Sequence, residues 1–402
     1  MSNFKISDIL KRSFSPDNVN LRELFDVKLH ELNITENQAH KLLDIDKNSL
    51  NPILDGSVKQ PNMFNVIKIA DFLEISLESI IATILSNQND VQIGKLEKVT
   101  EVSFLTKHFD IDKLYKTKVI DTKSDSDKIK NRLLDFFGFD DINEYEKYES
   151  ELNSVLYSKS KKKFTDKMRD FSIKSAFRVF ELIDNPNDYD REELKDLVTK
   201  IKPYSNDVAN GLLIVCKALY NIGITVCVQH YLTTSQYRGA TFIVNNKPCI
   251  VLTDLNKNYS TIWLALLHEL YHVLFDFEQI SKQGYHLTGQ PDMFLVNEEL
   301  PNEFAQDYFF DRDLYNYIKP HIHNEYLVKS FAKKNNIHPS FVYRGYQHFV
   351  AEIDGGDYWK AFHDKFPNVE KTMKNLSPLV WKEDNLKSKA TTLKKIFELN
   401  TI

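Results

Sequence analysis

Cysteine and glycine are both scarce in this chain, and each shortage removes a class of protein. Three cysteines, Cys216, Cys227 and Cys249, are spread over 402 residues with no CxxC spacing. They can build neither a disulfide scaffold nor a cysteine-rich zinc module, and so few suit a reducing cytoplasm. We read them as small buried apolar residues. Eleven glycines point to a helix-rich architecture. No uncharged apolar run reaches the roughly 18 residues that a membrane helix needs, so no membrane partner is expected. The opening MSNFKISDILKRSFSP lacks the basic-then-apolar order of a secretory leader. A basic excess is missing as well. The formal net charge of −5 argues against a chain built mainly to coat nucleic acid. One local basic cluster, Lys161, Lys162 and Lys163, is most simply a solvated face.

What is present reads as a soluble, mainly α chain too long for one small core. Residues 1–18 carry little pattern. From about Leu21 to Leu85 short helical segments follow one another: one ending near Asn33, a second capped by Thr35, a third from Asp46 to Gly56, a fourth over Met63–Leu73 and a fifth from Ser76. Residues 86–130, with SNQND and TKSDSD, read as linker. Helical patterns return to about Lys200 and again in GLLIVCKALYNIG, where Gly223 makes a stop. The period then changes. ITVCVQHY and ATFIVNNKPCIVLTD read as strands, with turn residues inside VNNKPC. Further helices fill the last seventy residues. These shifts suggest four segments: 1–90, 91–203, 204–330 and 331–402.

Between the strands and the last segment stands LLHELYH, residues 266–272. Helical geometry puts His268 and His272 on one face, one turn apart, where two imidazoles can bind one metal ion. Glu269 sits beside the first of them without occupying the ion, the place for a general base in zinc-assisted peptide hydrolysis. A bland alternative is a buried helix that carries satisfied histidines. Two imidazoles and a carboxylate left unpaired on so apolar a helix would cost about 1–3 kcal/mol each, which favours a metal. Zinc needs a third protein ligand. NEELPNEFA, residues 297–305, supplies it: Glu298 and Asn302 share a face, Glu298 as ligand and Asn302 as hydrogen-bond partner of a ligand histidine. Glu299 is the competing ligand, and a solvated acidic helix start is the plain alternative for the whole segment. Two imidazoles and a carboxylate suit Zn²⁺, with manganese or iron as lesser options. Tyr271, Tyr285, His286 and His348 are candidate transition-state stabilisers that spacing cannot separate. His338 and His363 read as surface or capping residues. An exposed edge strand, IVLTD or GATFIV, could pair with a substrate backbone.

From about residue 130 to 350 the chain resembles the ImmA/IrrE family of metallopeptidases. Glu298 to Ala305 match the family's ExxxN/DxFA pattern, with Pro301 in place of the usual alanine, and Tyr271 replaces the glycine of HELGH. LLDFFGF, GITVCVQHY, RGATFIVNNKPCIVL and IHPSFVYRGYQH agree as well. The resemblance implies a zincin-like α+β metallopeptidase domain over 204–330. It also implies Zn²⁺ on His268, His272 and Glu298, with Glu269 catalytic. The implied substrate is a regulatory protein, foremost a helix-turn-helix transcriptional repressor.

Residues 21–85 resemble an Xre/Cro-type helix-turn-helix, which makes 1–90 an all-α domain of that kind. Its recognition helix would be DKNSLNPIL, offering Lys47, Asn48, Ser49 and Asn51 to the DNA major groove. His40, Asp44 and Pro52 depart from the usual pattern. Six Lys/Arg against ten Asp/Glu in residues 21–85 give a balance near −4, a poor phosphate-binding surface. Dimerisation, or docking on a partner's similar domain, is therefore an alternative. Two further readings of the chain stand beside the peptidase. One is a DNA-binding regulator whose peptidase-like domain serves as sensor. The other is an antitoxin-like protein that binds a partner without cleavage.

Overall fold

The computed structural model describes residues 20–399 apart from 87–89, 158–165, 234, 236, 256, 284, 288–297, 356, 357 and 359. Residues 1–18 and Lys161–Lys163 lie outside the described residues. The chain divides into two units, Met1–Lys107 and His108–Ile402.

Five short helices build the described part of the first unit up to Ser86: α1 (Leu21–Glu31), α2 (Glu36–Leu43), α3 (Lys47–Leu54), α4 (Met63–Phe72) and α5 (Leu77–Ser86). Each start has a local cause. Thr35 and Gln38 form a reciprocal capping box at α2, and Asp46 and Asn62 accept main-chain N–H bonds at α3 and α4. Between α2 and α3 the chain turns through Asp44 in the left-handed region (φ 50°). There the His40 ring reaches across the turn, its Nδ1 3.1 Å from the Ile45 carbonyl. Phe25, Ala39, Leu50, Ile53, Val66, Ile69 and Ile80 close the core. Pro52 is accommodated inside α3.

Residues 86–130, read as linker, contain the boundary between the two units, and much of the stretch is helical. They hold helices Asp90–His108 and Ile111–Lys116, and Asp125 of the TKSDSD stretch caps a further helix, Ser126–Phe137. Polar composition hid them.

In the second unit, segments that the sequence divides at 203/204 and 330/331 share one packed body. Helix α6 (Lys167–Ile183) lies against both the sheet and the C-terminal helix, Leu386–Glu398. Arg132 donates to the Val119 carbonyl and to those of Trp381 and Lys382, the last two about 250 residues away in sequence. These contacts are between residues distant in sequence, so no composition shift marks them.

The sheet is mixed and four-stranded, in the order β1 (Thr225–Gln229), β3 (Lys247–Thr253), β2 (Gly239–Val244), β4 (Tyr285–Leu287). β1 and β3 run parallel, and β2 is antiparallel to both β3 and β4. Asn245 and Asn246, both at positive φ, make the two-residue hairpin turn between β2 and β3. The expectation that IVLTD forms an exposed edge is overturned: β3 is central, and both its edges are paired. β2 is paired with β4 over Ala240–Phe242. A buried strand reads as apolar on both faces, and sequence alone does not separate centre from edge.

Below the sheet runs α7 (Tyr259–Phe275), apolar nearly all round and buried from Tyr259 to Leu274 apart from Thr261, Leu264 and Tyr271. Asn258 caps it, accepting from the N–H of Ser260 (3.0 Å) and Thr261 (3.4 Å). Helix α8 (Glu299–Phe309) packs along it, with α9 (Pro339–Asp354) against both. Phe309 fastens the three, edge-on to Trp263 at 6.1 Å and stacked on Phe341 at 3.9 Å. No helix among the described residues is long and apolar enough to cross a membrane.

Candidate metal centre

Helix α7 carries His268, Glu269 and His272 into the packed interior, where none is more than 2% exposed. The two histidines share one face as the spacing requires, and their Nε2 atoms stand 3.1 Å apart. Helix α8 adds Glu298 at its N-cap, with Oε2 3.2 Å from His268 Nε2. One ligand atom from each of the three lies within 4.8 Å of the others. Glu299, the competing candidate, is exposed and outside this group. Pro301 does not disturb the register; it is buried within the first turns of α8.

The outer nitrogens decide what the inner ones can do. Asn302 donates through Nδ2 to the Glu298 carbonyl at 2.6 Å, which turns its Oδ1 toward His268 Nδ1 at 3.0 Å. Asp276 places Oδ2 2.8 Å from His272 Nδ1. Both acceptors call for a proton on Nδ1, so each neutral ring turns an unprotonated Nε2 inward. Two nitrogen lone pairs and a carboxylate oxygen then face one another, the imidazoles buried and the Glu298 side chain 26% exposed. A shared proton would satisfy one pair of these atoms; a divalent ion satisfies all three. Tetrahedral zinc holds its nitrogen and oxygen ligands about 3.3–3.5 Å from one another. The two contacts quoted are close to that, the third separation is within 4.8 Å, and two imidazoles with a carboxylate are donor types that suit zinc.

Glu269 points to the sheet instead. Thr241 on β2 donates its hydroxyl to Glu269 Oε2 at 2.7 Å. Gly239, at the start of the same strand, has no Cβ; a methyl there would stand 2.6 Å from Oε1. Thus one carboxylate of α7 is fixed by β2, while the two imidazoles are fixed by α8 and by the end of α7 itself.

Sequence reasoning found His268, Glu269, His272, Glu298 and Asn302; the structure groups His268, His272, Glu298 and Asn302, and holds Glu269 on the same helix but turned to β2. It missed Asp276, Thr241 and Gly239. The helical interval from His272 to Asp276 was a usable signal, the same four-residue step that pairs the histidines. Thr241 and Gly239 gave none, because the crossing of β2 over α7 is a tertiary fact.

Of the remaining candidates, Tyr271 lies edge-on to the His272 ring, with centroids 6.1 Å apart. Tyr271 packs on Phe275 and Phe304, with ring centroids at 4.6 and 5.6 Å, and burial raises its hydroxyl pKa. His348 lies edge-on to Phe349, and burial lowers its pKa. His338 caps α9, its Nδ1 accepting from the Ser340 N–H at 3.2 Å. The side chains of Tyr285 and His286 lie outside those described. All three cysteines are free and buried, and burial pushes the Cys216 thiol up to about 12. They behave as the apolar residues expected.

In the first unit Lys47 and Asn48 are exposed on the first turn of α3, and Ser49 is half-buried. Asn51 is engaged by the chain itself: Arg22 Nη2 donates to its Oδ1 at 3.0 Å, and Arg22 Nε to Asp55 at 2.9 Å.

Compared with known proteins, the chain matches no family model, no curated protein and no solved structure.

Proposed function

We propose that this chain is a zinc-dependent endopeptidase of the ImmA/IrrE type, with a zincin-like second unit and an Xre/Cro-type helix-turn-helix in the first. One observation carries the reading. Two imidazoles with committed outer nitrogens and one carboxylate converge on a point, beside a buried glutamate held by the sheet. His268, His272 and Glu298 would hold the ion, and Zn²⁺ there supplies a Lewis acid that polarises a peptide carbonyl and acidifies water. Glu269 is the general base: it takes the proton of the attacking water and passes it to the departing amide nitrogen. Thr241 keeps that carboxylate from swinging onto the imidazole pair. The fully buried position of Glu269 excludes bulk water from the proton transfer.

The substrate class, a helix-turn-helix repressor, follows from the family resemblance. Incubation of zinc-loaded protein with such a repressor should yield discrete fragments, while Glu269→Gln retains the metal and yields none. No fragments from a panel of repressors, or the same fragments from both proteins, would remove proteolysis from the account.

Exposure of Lys47 and Asn48 on the first turn of α3 favours a second role, DNA docking by the first unit, against the acidic balance of that unit. Lys47→Ala with Asn48→Ala should abolish selective retardation of operator DNA. Retardation unchanged by the pair rules out this helix as the reader.

A further inference from the structure

The two histidines of the centre are backed by different chemistry, and the difference is on the page. His268 donates to an amide oxygen, that of Asn302, at 3.0 Å; His272 donates to a carboxylate, that of Asp276, at 2.8 Å. His272 is fully buried and the Asp276 side chain is 18% exposed, so water screens this pair little. A carboxylate on Nδ1–H pushes electron density toward Nε2 more strongly than a neutral amide does, and it fixes both tautomer and ring angle.

Asp276 has a simpler explanation available. It stands where α7 ends and the helix Phe277–Gln283 begins, a place where aspartate commonly caps. The hydrogen bonds speak against that use. The Asp276 carboxylate goes to the His272 ring, while Gln279 and Ile280, the third and fourth residues of the new helix, donate to the Asp276 main-chain carbonyl, both at 2.9 Å. Its own N–H donates to the His272 carbonyl at 2.9 Å. The main chain therefore makes the junction, and the carboxylate reaches back one turn to the imidazole.

We infer that Asp276 is a positioning residue of the metal centre, acting through His272 and making it the stronger of two unequal histidine ligands. The inference rests on the metal-centre reading above and extends it to a residue outside the HExxH and ExxxN patterns. Asn302 serves His268 and also ties down Glu298, so its role is to place two ligands. Asp276 serves one ligand and adds charge: with Glu298 it sets two negative charges against a divalent ion.

The test is metal affinity of the full chain, read by competition for Zn²⁺ against a chromophoric chelator, with the visible spectrum of the Co²⁺-loaded protein as a second readout. Asp276→Ala should weaken zinc binding by about 10–100-fold. Asp276→Asn, which keeps size and one acceptor oxygen but loses the charge, should fall between Ala and wild type and shift the Co²⁺ absorption bands. Because the Asn variant is nearly isosteric, it keeps the test decisive if the Ala variant does not fold. Wild-type affinity and an unmoved Co²⁺ spectrum in Asp276→Asn would overturn the positioning role while leaving the metal centre intact. A wild-type chain that takes up neither ion would overturn the metal-centre reading itself, and this inference with it.

Discussion

Two imidazoles one helical turn apart aim at a common point only when each outer nitrogen has somewhere to send its proton. Asn302 and Asp276 are those acceptors, and each sits four residues from a group it serves: Asn302 from Glu298, Asp276 from His272. The same four-residue step that makes the histidines neighbours thus also arranges their support. Adjacent residues behave differently. Glu298 and Glu299 differ by one position, about 100° around a helix, and that rotation separates a group 3.2 Å from His268 from one on the surface. Glu298→Ala should therefore cost more zinc affinity than the 10–100-fold or so that loss of an outer partner costs, whereas Glu299→Ala should leave affinity unchanged. Chelator competition measures both. Equal losses would mean the helix register is wrong. Sequence left these two glutamates open because a helix start can slip by a residue without altering the pattern.

Among the elements, β2 is the one that holds the Glu269 carboxylate. It brings Thr241 to Glu269 and, through Gly239, leaves room for the carboxylate. Gly239→Ala would put a methyl 2.6 Å from Glu269 Oε1, and the base would have to move. Misplacing a reacting group by about 1 Å can cost roughly 100-fold in rate. Turnover on a cleaved repressor should fall by about that factor with zinc content unaltered; full activity would show that β2 does not set the base. Helices of the first unit were legible because their caps are local: Thr35 with Gln38, Asp46 and Asn62 each act within three residues. The β2–β3 hairpin was legible for the same reason, through Asn245 and Asn246. Strand order was not. Cys249–Leu252 is apolar on both faces because both are buried, and nothing in the run says which strands flank it.

Among the described residues, the candidate metal ligands lie in the second unit, and the first unit up to Ser86 holds five short helices. Segment boundaries near 203 and 330 do not mark separate bodies, because Arg132 with Trp381 and α6 with the helix Leu386–Glu398 join residues far apart in sequence. Contacts of that range leave no trace in composition. What composition did convey is the helix-rich character, and what spacing conveyed is the ligand set. The peptidase reading descends from that ligand set, so its most direct test is elemental. Full-length protein purified without chelator should carry one zinc per chain, and His268→Ala, folded by circular dichroism, should carry none. A folded wild-type chain without a stoichiometric divalent metal, or a His268→Ala chain that keeps it, would contradict the account.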